Sequence, residues 1–145
     1  MTPTKTTISR SPLETKNLGR ALGAKNKKGL ILALAGTLGS GKTTFVQGLA
    51  LGLGLKYRIT SPTFVIMAAH QIPRMPGRFY HFDLYRLRRA KDLQDLGFRE
   101  IVERRQNVIV IEWPQKIKTR LPVSTKWIHF AHDPKHPNNR IIKIH

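Results

Sequence analysis

The chain has 145 residues and no cysteine, so disulfides, thiolate zinc sites and cysteine nucleophiles are excluded. Its 26 basic residues outnumber 8 acidic ones, for a net charge of +18, which favours polyanionic partners, nucleic acid first among them. No stretch approaches the roughly 20 apolar residues of a membrane helix. We therefore expect one domain over residues 1–145, cytoplasmic and without a membrane contact.

The first half of the chain predicts strand, helix, strand and helix in that order. Thr4–Ser9 is a predicted strand, and Ser11 then begins a helix as N-cap, with Pro12 at the first helical position and Glu14 three residues after the cap. We expect this helix to reach Ala24, with Leu13, Leu18, Ala21 and Leu22 on its apolar face. Leu30–Ala35 is a continuous apolar run, typical of a buried parallel strand.

The segment Gly36–Thr44 reads GTLGSGKTT and matches G-x-x-x-x-G-K-[ST] in full. An apolar strand leads into it and a helix from Lys42 to about Leu53 leads out. Such glycines let backbone amides surround a phosphate, while the lysine lies between the β- and γ-phosphates and the next hydroxyl binds Mg²⁺. The residues expected to contact the phosphates are Gly36, Leu38, Gly39, Ser40, Gly41, Lys42, Thr43 and Thr44, with Thr43 also a metal ligand.

The second half of the chain predicts further strands and one charged helix. Strands are expected over Ser61–Ala69, Phe79–Leu84 and Asn107–Glu112, with a helix from about Leu87 to Arg104. Trp127–Ala131 and Ile141–Ile144 are expected to form a final antiparallel pair. Strands alternating with helices predict an α/β fold, a P-loop NTPase fold with a central, mainly parallel (mixed) sheet flanked by helices.

Acidic residues are scarce, so candidates for an Mg²⁺ site are few. Glu112 ends an apolar strand and is the first choice for the metal-holding carboxylate, although an exposed strand-end acid has the same pattern. Asp83 ends another strand and could orient or deprotonate the attacking water, or form a structural ion pair instead. Trp113 either lines the nucleotide site or packs on the sheet, and His81 is interpreted as a strand residue.

Two further features are less specific. Ser61-Pro62-Thr63-Phe64 lies where nucleotide-sensing switch segments occur, but it is also an ordinary turn. Asn26-Lys27-Lys28-Gly29 lacks the acid of the guanine-reading N-K-x-D motif, so ATP is preferred to GTP. The cofactors expected are ATP and Mg²⁺.

Four motifs, GTLGSGKTTF, SPTF, HFDLYRL and IEWP, occur in an order and spacing that closely resembles the TsaE (YjeE) family, from about Thr15 to Arg140. The resemblance implies slow ATP hydrolysis in support of tRNA threonylcarbamoyladenosine formation, together with TsaB and TsaD homologues. It also implies that Lys42 and Thr43 bind phosphate and Mg²⁺, that Glu112 helps hold the metal, and that Thr15 lies near the adenine. Asp83 and Trp113 would be tied to activity.

The sequence departs from the family pattern at two places. Thr37 replaces the usual acid after the first P-loop glycine, and Ala69-His70 stands where a Glu-Tyr pair is usual. The high positive charge adds direct tRNA contact to the expectations. Two other functions stay open on the sequence: a small P-loop kinase acting on a nucleoside or metabolite, and a basic RNA-binding protein with a non-catalytic P-loop.

Overall fold

The computed structural model describes residues 3–56 and 66–145, which form a sheet of seven strands with helices on both faces. The strands are β1 (Lys5–Ser9), β2 (Leu30–Gly36), β3 (Met67–Gln71), β4 (Arg78–Asp83), β5 (Val108–Glu112), β6 (Lys126–His132) and β7 (Arg140–Ile144). The helices are α1 (Pro12–Lys25), α2 (Lys42–Gly52), α3 (Ala90–Gln94), α4 (Phe98–Glu103) and a 3₁₀ segment over Pro114–Arg120.

The sheet has the strand order β1-β7-β6-β2-β5-β4-β3. Its centre is parallel, because β2 pairs in parallel with both β5 and β6, and β5 pairs in parallel with β4. The outer strands β1, β7 and β3 pair antiparallel with their neighbours. This arrangement confirms the predicted α/β fold with a mixed sheet and the antiparallel pair near the end of the chain.

Strand β5 shows why the central strands are apolar throughout. Val108 and Val110 belong to the core beneath α1 and α2, whereas Ile109 and Ile111 belong to the core on the opposite face. All four residues are at most 1% exposed. A strand that is covered on both faces has no solvent-facing side, so its sequence is a continuous apolar run rather than an alternation of polar and apolar residues.

Helix α1 begins as predicted, with Ser11 as its N-cap and the Glu14 amide donating to the Ser11 hydroxyl. The predicted apolar face is wrong in part, because Leu13 is 65% exposed and Ala21 is also exposed. The residues of α1 that are fully buried are Thr15, Gly19 and Gly23.

The reason is the close approach of α1 to α2. A Cβ atom on Gly19 would lie 2.1 Å from the carbonyl oxygen of Phe45, and one on Gly48 would lie 1.9 Å from that of Lys16. The two helices therefore meet backbone to backbone, where only glycine fits. This contact brings the first turn of α1 to the loop that precedes α2.

The predicted charged helix from Leu87 to Arg104 is two short helices, α3 and α4. Gly97 interrupts it with φ +76°, a left-handed conformation that a continuous α-helix cannot contain. Leu93, Phe98 and Ile101 nevertheless pack into the core on this face of the sheet. None of the helices in the described part of the chain has the length and apolar character needed to cross a bilayer.

Candidate functional site

The loop between β2 and α2 lies at the carboxyl ends of the parallel strands. Gly39 and Gly41 have φ values of +74° and +102°, which side-chain-bearing residues rarely adopt, and Gly41 is the N-cap of α2. The amide groups of the first turn of α2 consequently face the loop, as they do at anion-binding helix N-termini.

Lys42, the first residue of α2, folds back over this loop. It is 6% exposed; its Nζ donates to the carbonyl oxygen of Gly36 at 2.6 Å and lies 4.3 Å from the ring centroid of Trp113. Burial lowers the pKa of Lys42, and the nearby charges of Glu112 and Asp83 oppose that fall. The ammonium group is therefore held between a carbonyl, an aromatic face and two carboxylates.

Strand register brings the two predicted acids side by side. Asp83 is the last residue of β4 and lies directly opposite Glu112, the last residue of β5, which in turn lies opposite Leu34 of β2. Glu112 is 3% exposed, whereas Asp83 is half-buried and accepts a hydrogen bond from the amide of Tyr85 at 3.1 Å. Both carboxylates thus stand at the edge of the sheet from which the loop between β2 and α2 emerges.

Glu112 has a buried partner that sequence reasoning missed. His81 lies on β4, is fully buried, and its Nε2 is 2.6 Å from Oε2 of Glu112, where the ring N–H donates to the carboxylate. The alternation of β4 predicts one buried face, but only the register between β4 and β5 shows that His81 meets Glu112. The histidine fixes one oxygen of the carboxylate in place.

These elements enclose a cleft of about 290 Å³. Ten of the residues predicted for the site line it, namely Thr15, Leu38, Gly39, Gly41, Lys42, Thr43, Thr44, Asp83, Glu112 and Trp113. The two others, Gly36 and Ser40, belong to the loop but lie behind its surface. Ser40 is 1% exposed, and its hydroxyl has no hydrogen-bond partner among the described residues.

Thr15 reaches the cleft from the first turn of α1. It is 2% exposed, and its hydroxyl lies 2.7 Å from that of Ser9. Its methyl carbon faces Gly41, where an added Cβ would lie 3.5 Å from it. Thr15 therefore presents mainly an apolar surface to the cleft.

Four further residues line the cleft that the sequence did not reveal: Ser11, Pro12, Asn138 and Arg140. Arg140 begins β7, and its Nη2 donates to the carbonyl oxygen of Gly39 at 3.2 Å. Its Nη1 donates to the carbonyl oxygens of Pro137 and Asn139, which fixes the guanidinium group beside the loop. No local motif marks Arg140, because about a hundred residues separate it from its loop contact.

Trp113 lies at the mouth of the cleft in a left-handed conformation, with φ +59°. Its ring packs 5.0 Å from that of Tyr85, so it both contacts a neighbouring aromatic residue and lines the cleft. The predicted switch segment Ser61-Pro62-Thr63-Phe64 lies outside the described residues.

The family model for the threonylcarbamoyl adenosine biosynthesis protein TsaE matches residues 9–142 of the chain. A Treponema pallidum TsaE protein is 42% identical over 120 residues, covering 81% of this chain and 84% of that protein. A Bacillus subtilis TsaE protein is 39% identical over 112 residues, covering 77% and 68% respectively. The crystal structure of Bacillus subtilis YdiB superimposes with a TM-score of 0.75 at 32% identity, covering 99% of this chain and 86% of that one.

Proposed function

The chain belongs to the TsaE family, whose role lies in the biosynthesis of tRNA threonylcarbamoyladenosine, and on that premise we propose that it binds and hydrolyses ATP with Mg²⁺. The observation that carries the proposal is the register that sets Asp83 opposite Glu112, beside the loop that Lys42 covers. A P-loop ATPase needs these three kinds of group within one cleft.

The phosphates would lie against the loop over Gly36–Gly41 and the first turn of α2. Backbone amides there offer donors to phosphate oxygens, and the helix terminus adds partial positive charge. Lys42 would exchange its carbonyl partner on Gly36 for a phosphate oxygen. Arg140 adds a second cation, since it already contacts the loop at Gly39. The adenine would lie toward Thr15, whose methyl carbon faces Gly41 in the cleft.

The oxygen donors present fit Mg²⁺ rather than a metal held by protein alone. No group of three His, Asp or Glu side chains in the described part of the chain could hold an ion. Mg²⁺ usually takes one or two protein oxygen ligands, with nucleotide phosphates and water completing its shell. Thr43 and Glu112 would supply those ligands, and the bound ion would neutralise charge on the phosphates.

The remaining side chains would prepare the hydrolytic step. Asp83 would orient the attacking water and accept its proton, because its carboxylate lines the cleft next to Glu112. His81 would hold Glu112 in one orientation through their 2.6 Å contact. Trp113 would cover the phosphate end of the cleft and limit the access of bulk water.

We propose further that hydrolysis serves a complex of TsaB and TsaD homologues in the cytoplasm. ATP turnover would reset that complex between rounds of tRNA modification, without transfer of the threonylcarbamoyl group by this chain. Under this proposal the complex should stimulate hydrolysis.

The decisive experiment measures ATP hydrolysis by the wild type, Lys42→Ala and Glu112→Ala, with and without the TsaB–TsaD complex. We expect stimulation of the wild type, and loss of about two orders of magnitude or more in both variants. Lys91→Ala, an exposed cation on α3, is the matched control and should behave as wild type. Stoichiometric phosphorylation of a nucleoside or metabolite would replace the proposal with a kinase, and full activity of Lys42→Ala would refute it.

A further inference from the structure

A wide groove of about 1030 Å³ lies at the opposite edge of the sheet, where the parallel strands begin. Six cationic residues line this basic groove: Lys25, Lys27, Lys28, Arg104, Arg105 and Lys126. They come from the last residue of α1, the turn before β2, the turn before β5 and the first residue of β6. Parallel pairing places all three strand starts at one edge, which collects the cations.

These cations have no carboxylate partner within the described chain. None of the six takes part in an ion pair among the described residues, whose pairs all lie elsewhere. Glu103 is the one acidic residue lining the groove within residues 3–56 and 66–145, and its carboxylate accepts a hydrogen bond from Arg99 at 3.0 Å. The groove therefore holds six mutually repelling charges that an anionic partner would relieve.

The backbone that carries the cations is fixed. The Asn26 side-chain oxygen accepts hydrogen bonds from the amides of Lys28 and Gly29, which shapes the first basic turn. Gly29 touches the second basic turn, since an added Cβ would lie 1.9 Å from the carbonyl oxygen of Arg105. The spacing between the two basic turns is thus set before any ligand arrives.

Asn107 fixes the same region from within. It is 3% exposed; its amide group donates to the carbonyl oxygen of Ile101 at 2.9 Å, and its side-chain oxygen accepts from the amide of Arg78 at 3.0 Å. Its own carbonyl oxygen accepts from the amide of Leu30, at the start of β2. One buried side chain therefore ties α4, β4 and β5 together beneath the groove.

The lining chemistry indicates what kind of anion fits. The described residues that line the groove include several spaced cations and no aromatic side chain, so they suit a row of phosphates and offer no platform for base stacking. We propose that the basic groove binds the phosphodiester backbone of tRNA, the molecule on which the pathway of this family acts. Binding here goes beyond the proposed ATP hydrolysis and does not depend on it.

The test compares two triple charge reversals by fluorescence anisotropy with labelled tRNA over a range of salt concentrations, without nucleotide. K27E/K28E/R105E changes the groove, whereas K5E/K91E/K143E changes three exposed cations that do not line it. Each substitution replaces a positive charge with a negative one and lowers the net charge by two, so both variants fall from +18 to +12. The comparison therefore separates the groove from net charge.

We expect the groove variant to bind tRNA at least tenfold more weakly than the control variant. Its slope of log affinity against log salt should also be shallower by about 2 to 3, roughly one per lost phosphate contact. The neutral variant K27Q/K28Q/R105Q should fall between the groove variant and wild type. Thermal unfolding midpoints close to wild type would show that the variants are folded.

Three outcomes would overturn the proposal. Equal losses in the two triple reversals would mean that net charge alone attracts tRNA. Unchanged tRNA binding in the groove variant, with lost binding to the TsaB–TsaD complex, would make the groove a protein-docking surface. If all the variants bind tRNA as tightly as the wild type does, the basic groove is not a tRNA-binding site. Lys42→Ala should bind tRNA as tightly as the wild type does. The tRNA measurement therefore tests the basic groove even if the ATP proposal fails.

Discussion

The two edges of the central sheet differ in whether their cationic side chains have carboxylate neighbours. At the carboxyl edge, Lys42 lies among Asp83, Glu112 and a backbone carbonyl, so its charge is compensated within the protein. At the amino edge, the six cations of the basic groove stand without a carboxylate partner in the described chain. Under the two proposals, the first edge would exchange its internal partners for a phosphate group, and the second would bind an external polyanion. Net charge alone does not distinguish these two designs.

The largest effect should follow from removing one charge at the carboxyl edge. Glu112→Gln keeps the shape of the side chain and an acceptor for His81, but it loses the carboxylate that would hold Mg²⁺. We expect the hydrolysis rate to fall about a hundredfold or more, with ATP still bound, as measured by steady-state kinetics and equilibrium titration.

The matched control neutralises an acid at the other edge. Glu103→Gln removes the acidic residue that lines the basic groove, so ATP hydrolysis should stay at the wild-type rate while tRNA affinity rises slightly. A Glu112→Gln protein that hydrolyses ATP normally would contradict the role given to Glu112. A lower rate of ATP hydrolysis in Glu103→Gln would mean that the two edges do not act independently.

The second prediction concerns the buried pair at the carboxyl edge. His81 and Glu112 are 0% and 3% exposed, so removing either one leaves the other desolvated without this partner. We expect His81→Leu and Glu112→Leu each to lower the free energy of unfolding by about 3 kcal/mol, measured by urea titration. His81→Leu/Glu112→Leu should recover part of that loss, because no half of the pair remains buried, while Lys42 still lacks one carboxylate neighbour. Strictly additive losses would show that the pair is not energetically coupled.

The third prediction compares one glycine at each edge. Gly29 has φ +106° and no room for a Cβ beside Arg105, whereas Gly39 has φ +74° and open space around it. Gly29→Ala should therefore lower the free energy of unfolding by about 2 kcal/mol or more, and Gly39→Ala by about 1 kcal/mol, the usual strain of a left-handed residue. Thermal unfolding in parallel would measure both. Equal losses of unfolding free energy would mean that the close contact between the two basic turns adds nothing to the cost of Gly29→Ala.

Much of the fold could be predicted because it depends on local patterns. The continuous apolar run at Leu30–Ala35 and the capping sequence from Ser11 each determine their element with little tertiary information. The break at Gly97 was missed because α3 and α4 together have helical composition on both sides of it. The exposed position of Leu13 was missed because backbone contact between two helices replaces side-chain packing there.

The candidate site likewise has a part that the sequence predicts and a part that only the structure shows. The loop over Gly36–Thr44 is contiguous, and acids at strand ends are visible without a structure, so Lys42, Asp83 and Glu112 could be proposed as site residues from the sequence. The contacts of His81 with Glu112 and of Arg140 with Gly39 could not, because they depend on strand register and on strand order. The groove was likewise invisible as a site, since its cations come from three separate segments of the chain.

The smallest expected effect tests the burial that sets Lys42 apart from the exposed cations Lys27 and Lys28. Burial lowers the pKa of Lys42 below its ordinary 10.5, so at alkaline pH part of the free protein carries a neutral amine there. Bound phosphates favour the charged form, so ATP binding should take up a fraction of a proton at alkaline pH, between the lowered pKa of Lys42 in the free protein and its higher pKa in the complex. ATP affinity should accordingly fall as pH rises through that window, by up to about tenfold per pH unit.

Calorimetric titration with ATP in buffers of different ionisation enthalpy would measure that uptake directly. K27A/K28A should show the wild-type uptake, because these residues lie at the amino edge and do not line the cleft that contains Lys42. Lys42→Ala should lack the part of the proton uptake that comes from the lysine side chain. If the wild type takes up no proton in this window, Lys42 is already fully charged before ATP arrives, and its carboxylate neighbours outweigh its burial. The carboxyl edge would then hold its cation charged for phosphate throughout that window, and charge compensation rather than desolvation would be what separates it from the amino edge.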